Sequence, residues 1–512
     1  MKRLVIPVVI AAVLLLGVLA SALGDGGGRE DAGSGSPAPK RPNAILIVLD
    51  EFPGDTLLGP NGKVDAGRFP NFAKLAARST WFRNAYASYD STTKAVPLIL
   101  DGIRPRKGTA PDARDHPRSL FTALHRAGYR TVSAEDATAL CPPTMCRGAS
   151  TRRPAIIPKL KKGRRERFDA FLRSIRPSAR PTFWMKHMLL PHGPYLYLPS
   201  GAQSRPSSAD PIRGMNTVPG FYDEYLTRHN EQRYLQQLGY VDHLLGRLLA
   251  KLERTGMADH TMVVVTADHG YAWQVGVPTR RSVNPSNVQE LMPVPLFVNA
   301  PGQRRGRVRD AYAQTLDVAP TMADVLGVPL GYRTDGRSAF SRAVARRRGV
   351  AVVTRDFSQV VRISGPRWKA RRRAVVERRL RELGSGGWAS LFTGIGPNRK
   401  LIGRELTSLR RSSAAGARAS LTGDYGEVAR ASGVVPSEIV GAVRGAEPDT
   451  TRALAVAVNG RIEAVGKSFH LTGDPTERFA VNVPEGSMRD GPNIVEVFEV
   501  TSGGALRLLA RS

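Results

Sequence analysis

The chain has 512 residues, 41% apolar and 23% charged, which excludes a wholly disordered or collagen-like protein and suits two domains, or one with an appendage. Lys and Arg outnumber Asp and Glu by 75 to 44, a formal +31 that calls for anionic partners. Two cysteines exclude a disulfide-dense scaffold, and aromatic residues at 7% are too sparse for base stacking to be the main business.

In chain order, Met1-Lys2-Arg3 precedes an almost unbroken apolar run from Leu4 to Gly24. Residues 1–24 fit either a signal peptide cleaved near Ala20-Ser21-Ala22 or a retained membrane anchor. Both place the rest of the chain outside the cytoplasm, membrane-anchored or secreted, in an envelope compartment. Nucleic acid then drops out as a partner, leaving acidic lipids or polymers. Residues 25–42, rich in Gly, Ser and Pro, suit a flexible tether. In an oxidising compartment Cys141 and Cys146 are expected to form one small-loop disulfide.

Asn43 to Leu49 is a β-branched apolar run expected to be a buried strand, ending at Asp50-Glu51. Pro70 to Ala77 suits a helix with proline in its first turn. Further strands are expected at Tyr129–Val132 and Thr182–Leu190. Asn230 to Arg254 carries leucines and a valine at helical spacing. Thr261 to Thr266 is a second buried strand, ending in Ala267-Asp268-His269-Gly270, and Val294 to Val298 a third. This alternation predicts an α/β fold with a mostly parallel central sheet flanked by helices. In such sheets, sites gather at the carboxyl ends of strands, where Asp50 and Asp268 both fall. The expected organisation is a catalytic domain over 43–345, a basic connecting region over 346–450 with an Arg-dense helix from Arg362 to Leu383, and a small β-rich domain over 451–512. In that last part, Asn459-Gly460 between two apolar runs predicts a hairpin.

Either Asp50-Glu51 or Asp268-His269 alone also suits an ordinary loop or turn. Together they bring hard carboxylate ligands and an imidazole to one sheet edge, which is what a metal-assisted phosphoryl or sulfuryl site requires. Oxygen ligands with one imidazole suit one divalent ion, whether manganese, zinc, magnesium or calcium. The basic run Lys159 to Arg165 suits either a solvated face or an approach to anionic lipid or polymer.

In order, Asn43 to Glu51, Phe69-Pro70-Asn71-Phe72, Phe82 to Tyr86, Leu100-Asp101-Gly102, Pro191-His192-Gly193-Pro194-Tyr195, Thr266 to Gly270, Val294 to Gly302 and Leu316 to Thr321 resemble the alkaline phosphatase/sulfatase superfamily. The resemblance is to its sulfatase-like envelope enzymes. Family sulfatases oxidise a cysteine or serine in a Cys-x-Pro-x-Arg setting to formylglycine. The matching position here is Thr92, in Ser91-Thr92-Thr93-Lys94, with Thr93 one register step away. Threonine cannot become formylglycine, whereas phosphoethanolamine transferases and lipoteichoic acid synthases use an unmodified threonine on a metal.

The resemblance therefore implies Thr92 as nucleophile and metal ligand, with Asp50, Asp268 and His269 completing the set and Glu51 left open. It implies that His192 contacts the transferred group. His187 is either a further substrate contact or a buried strand histidine, and Lys94 is a candidate substrate contact. Where the transferases carry a further histidine this chain has Arg280 and Arg281, either a cationic clamp on the substrate or a solvated loop. Three functions follow: a metal-dependent hydrolase or transferase acting on phosphate esters or phosphodiesters of envelope lipids or glycopolymers; a sulfatase lacking formylglycine; or a non-catalytic protein that holds anionic polymer. Oligomeric state is open.

Overall fold

The computed structural model describes residues 41–512 except 147–148, 150–153, 206–222, 277–280, 414–415, 446–449 and 472. The expected signal or anchor segment and most of the tether lie outside the described residues. Among those described, no helix is long and apolar enough to cross a membrane.

Seven strands of the described chain build one sheet: β1 (Asn43–Asp50), β2 (Thr80–Phe82), β3 (Arg130–Ala134), β4 (Thr182–Pro191), β5 (Thr261–Ala267), β6 (Leu296–Asn299) and β7 (Arg307–Arg309), in the order β3-β4-β1-β5-β6-β2-β7. β3, β4, β1 and β5 run parallel, β6 is antiparallel to both its neighbours, and β2 pairs parallel with β7. β1 lies at the centre and is buried almost throughout, which explains its unbroken β-branched run: both faces are covered by helices, so no polar alternation is needed.

The helices α1 (Pro70–Ala76), α2 (Thr92–Asp101), α3 (Leu120–Arg126), α4 (Arg164–Ser174) and α5 (Glu224–Arg254) follow, with α6 (Val318–Leu326) later in the chain. The longest, α5, begins six residues before Asn230, capped by the Asp223 side chain, which accepts from the Leu226 N–H at 2.7 Å. Its Leu235, Leu238, Leu245, Leu248 and Leu252 enter the main core with β1 and β5. Each such burial contributes about 1.5–3 kcal/mol, so this stripe holds the helix on the sheet.

Two elements precede and form the Arg-dense segment. Gly349–Val353 (β8) and Val360–Ser364 (β9) make an antiparallel hairpin, followed by α7 (Gly365–Leu383). Some arginines of α7 turn inward, while Arg367, Arg373 and Arg381 are exposed. Arg372 makes a two-pronged pair with Asp55 at 2.6 Å, Arg378 meets the buried Glu231 at 2.9 Å, and Arg379 donates to the Leu58 carbonyl at 3.0 Å. The antiparallel strands that follow start at Arg418 rather than near residue 451. Two four-stranded sheets face each other across a core that includes Ile439, Phe479 and Val481 from one and Leu454, Val456 and Val497 from the other. Asn459-Gly460 turns the hairpin between Ala453–Val458 and Arg461–Lys467, both residues having positive φ, as a two-residue turn of this kind requires. Residues Arg41–Ser512 form one compact unit.

Candidate functional site

The parallel register decides which side chains meet. β1 pairs Val48 with His187 on β4 and Leu49 with Ala267 on β5, so Asp50, His187 and Asp268 arrive at the same end of three adjacent strands. Past Asp50 the chain turns sharply. Glu51 adopts φ 60, and its N–H donates to Asp268 Oδ1 at 3.2 Å, while Phe52 N–H donates to the His269 carbonyl at 2.8 Å. Gly270 follows because the backbone passes close by: a Cβ there would lie 2.8 Å from the Leu291 carbonyl oxygen.

Asp50, His187 and Asp268 are all buried, and each presents a ligand atom within 4.8 Å of the other two. Asp268 Oδ1 accepts from the Glu51 and His269 N–H groups, while Oδ2, Asp50 Oδ1 and both ring nitrogens of His187 have no hydrogen-bond partner. A buried carboxylate oxygen or imidazole left so costs about 1–3 kcal/mol or more, and a structure retains such groups where a ligand satisfies them. Burial first, then the Asp268 and Glu51 carboxylates, raise the Asp50 carboxyl well above its ordinary range. Burial lowers the His187 imidazole, keeping it neutral and able to donate a lone pair. Two carboxylates and a neutral imidazole fit a divalent cation, which would remove the repulsion and occupy the orphaned atoms together.

This set differs from the expected one. His187, foreseen as a substrate contact or a plain strand histidine, stands among the carboxylates. His269 turns its Nδ1 to the Gly270 carbonyl at 2.8 Å, and its Nε2 is 3.5 Å from Asp268 Oδ2, at the edge of the cluster. Glu51 engages the Arg281 guanidinium through Oε1. Arg281 also donates through Nη2 to His192 Nε2 at 2.7 Å, and His192 Nδ1 lies 2.5 Å from the Gly193 carbonyl. The ring is therefore protonated on Nδ1 and accepts on Nε2. Burial lowers the Arg281 pKa, but Glu51, Tyr271 and Asp50 together outweigh it and the net shift is upward, so this cation stays charged beside the cluster. Arg280 lies outside the described residues.

Thr92 is the first residue of α2, and the Ser91 side chain makes no cap hydrogen bond there. The preceding Asp90, which motif reading passed over, is fully buried. Its Oδ2 accepts from Val283 N–H at 2.6 Å and its Oδ1 lies 3.5 Å from Arg355 Nε. Burial raises its carboxyl, opposed by the Val283 N–H, Arg355 and His269, and its bonds to Val283 and Arg355 tie the start of α2 to the loop carrying Arg281. Lys94, in contrast, points away: its ammonium donates to the Arg106 carbonyl at 2.8 Å and the Thr109 hydroxyl at 2.7 Å. Arg164 departs from the solvated-face reading of the basic run. It is buried and donates to the His192 and Pro194 carbonyls at 2.8 and 2.7 Å, fixing the loop that presents His192. Cys141 and Cys146 are joined in a disulfide.

With this geometry in hand, similarity to other proteins adds the following. A family model described as Sulfatase matches residues 42–328. The choline-sulfatase of Rhizobium meliloti (strain 1021) is 25% identical over 359 residues, 57% of this chain and 68% of that protein. The extracellular sulfatase SULF-1 homolog of Drosophila melanogaster is 33% identical over 117 residues, 23% of this chain but only 10% of that protein's length. The crystal structure of the phosphonate monoester hydrolase of Agrobacterium radiobacter superposes with a TM-score of 0.46 at 18% identity, covering 61% of this chain and 80% of that one.

Proposed function

As the chain belongs to the sulfatase family of the alkaline phosphatase superfamily, we propose that it is a metal-dependent hydrolase that opens phosphate esters or phosphodiesters of envelope lipids or glycopolymers, with Thr92 as nucleophile. The observation that carries this reading is the buried cluster of Asp50, His187 and Asp268 with orphaned ligand atoms. These residues would hold the divalent ion together with the Thr92 hydroxyl. When bound, the ion would lower the pKa of that hydroxyl and draw charge from the non-bridging oxygens of the ester.

The remaining roles belong to the chain. Arg281, kept charged by Glu51, and His192, held by Arg164 through its carbonyl, face the anionic group and orient it. The helix start at Thr92 favours negative charge there. Thr92 Oγ1 forms the bond to phosphorus as the ester oxygen leaves and takes up a proton. Water then displaces Oγ1, releasing the phosphoryl group and restoring the hydroxyl; an acceptor hydroxyl in place of water gives transfer. Asp90 positions the start of α2 through Val283 and Arg355.

A second reading, hydrolysis of a sulfate ester, is favoured by the sulfatase names of the relatives. Threonine weighs against it, because it lacks the route to the aldehyde that family sulfatases use. The test is turnover of a chromogenic phosphodiester beside the matching sulfate ester, with added metal and with chelator, for wild type and Thr92→Ala. Metal-dependent phosphodiester turnover lost in the variant supports the first reading. Sulfate turnover alone supports the second, and silence on both leaves a non-catalytic polymer-binding protein or an enzyme too selective for generic substrates.

A further inference from the structure

We propose that a basic cleft at the far end of α2 from Thr92 binds a second sulfate or phosphate group of the same chain-like substrate. The proposal rests on the anionic-ester reading above and adds to it a requirement on substrate length. Nine steps along α2 place Thr92 and Asp101 about 14 Å apart at 1.5 Å per residue. The β8–β9 hairpin spans the same interval. Its turn carries Arg355, whose Nη2 donates to the Asp90 carbonyl at 2.5 Å beside Thr92. Its base, about 16 Å away for five extended residues, lines the cleft next to Arg104, just past the end of α2.

The cleft has a volume of about 460 Å³, the size of a sugar-sized ligand site, and Arg104, Arg348 and Arg362 line it. All three are exposed, and among the described residues none of their guanidinium groups has an acceptor in the protein. Arg347, in the same wall, is already paired with Asp317 at 2.6 Å, and the Asp335 carboxylate is turned to the Arg104 backbone N–H at 2.8 Å. Three exposed forks lining one concavity offer the planar, two-pronged donors that sulfate and phosphate oxygens accept.

A smaller cavity of about 100 Å³ shares Arg104 with the cleft and supplies an independent sign of a ligand. It is lined by His116, whose Nδ1 sits 2.7 Å from Asp101 Oδ2 and whose Nε2 is buried without a partner. That nitrogen is an unsatisfied polar atom walled off from solvent on a residue that lines the cavity with Arg104. Arg348 and Arg362 lie beyond residue 328, where the family match ends, while Arg104, Gln314 and Leu316 lie within it, so the cleft is formed where the two parts meet. The occupant is a glycan or polymer bearing sulfate or phosphate groups, long enough to reach from Thr92 to Arg362.

The test measures binding by titration calorimetry for the full chain and two double variants: Arg348→Ala/Arg362→Ala in the cleft, and Arg305→Ala/Arg307→Ala, which removes equal charge at β7. The probes are size-fractionated dextran sulfate oligomers, unsulfated dextran of equal length, and short inorganic polyphosphate. The cleft variant is expected to bind one or both anionic probes about tenfold more weakly or worse, and the β7 variant within about twofold of wild type. A loss confined to dextran sulfate assigns sulfate, one confined to polyphosphate assigns phosphate, and a loss for both assigns either oxyanion. Equal losses in the two variants, or none in the cleft variant, overturn the proposal. Wild-type turnover of the small chromogenic esters is scored separately: its absence alongside the expected binding pattern sinks the catalytic reading and spares the cleft, whereas turnover with unchanged binding does the reverse.

Discussion

Asparagine at position 50 removes one of two buried carboxylates whose oxygens lie within 4.8 Å of each other and of a His187 nitrogen. Two unit charges at that distance repel by about 3 kcal/mol at an effective dielectric of about 20. Without metal, the protein relieves this by holding a proton on Asp50, whose carboxyl is raised by burial, then by Asp268 and Glu51. A folded pKa raised above the unfolded one costs nothing below the unfolded value near 4, and costs progressively more as pH rises from there toward the folded value. The uncharged Asp50→Asn variant should therefore be more stable than wild type in chelator at neutral pH, by about 1–3 kcal/mol, and equal to it in acid. With metal the order reverses. A ligand at a hundred times its Kd adds about 2.7 kcal/mol to wild type, and the variant, lacking a ligand oxygen, should lose most of that. For a chain this long, each kcal/mol moves Tm by roughly 1–2 °C, so thermal unfolding in chelator and in millimolar manganese, zinc, magnesium or calcium resolves both effects. A variant less stable than wild type in chelator, yet with the full metal-induced shift, would refute the reasoning.

Other substitutions test the surroundings of that cluster and the scaffold. Arg281→Ala should lower kcat/KM by about 100-fold or more, and should cost about 3–5 kcal/mol in stability because it leaves Glu51 buried without its cation; kinetics and urea unfolding measure both. Glu438 is buried with Arg233 at 3.2 Å. Burial acts to raise its carboxyl, but Arg233 and then His229 prevail and hold it at about 2. Its contribution, roughly 3 kcal/mol, is full above the unfolded pKa and fades as pH falls toward 2, so wild type should lose that stability between pH 5 and pH 2 to 3 while Glu438→Gln, already destabilised, stays nearly flat there. Replacing both Cys141 and Cys146 by serine opens a small loop with a sequence separation of 5, for which chain entropy gives a loss of about 2 kcal/mol, read as a lower urea midpoint at unchanged slope.

Much of the scaffold was legible because the chemistry is local. The continuous apolar runs of β1 and β5 suit doubly covered strands, and the acids that follow them fall at their carboxyl ends. The role of His187 was not legible. It sits mid-run in a strand, and only the pairing of Val48 with His187, a contact between residues far apart in sequence, brings it to Asp50. Glu51 and Arg281 were both singled out, yet their engagement with each other depends on the left-handed turn at Glu51 and on the path of the loop after β5. Asp90 carried a signal that went unused, an acid two residues before the candidate nucleophile. Arg164 and the inward-turned arginines of α7 show the limit of charge counting, because runs that suggest a wet basic face are here partly folded inward onto carbonyls and carboxylates.

The central claim is that the Thr92 hydroxyl takes up the transferred group. Its most direct test is to mix the metal-loaded protein with a phosphodiester, quench in acid within a turnover, and map the peptide spanning 84–104 by mass spectrometry. The account predicts a phosphoryl adduct on Thr92 that appears with substrate, decays as substrate is exhausted, and is missing in Thr92→Ala. Sustained metal-dependent turnover in Thr92→Ala, or an adduct on Ser91 or Thr93 instead, would contradict it.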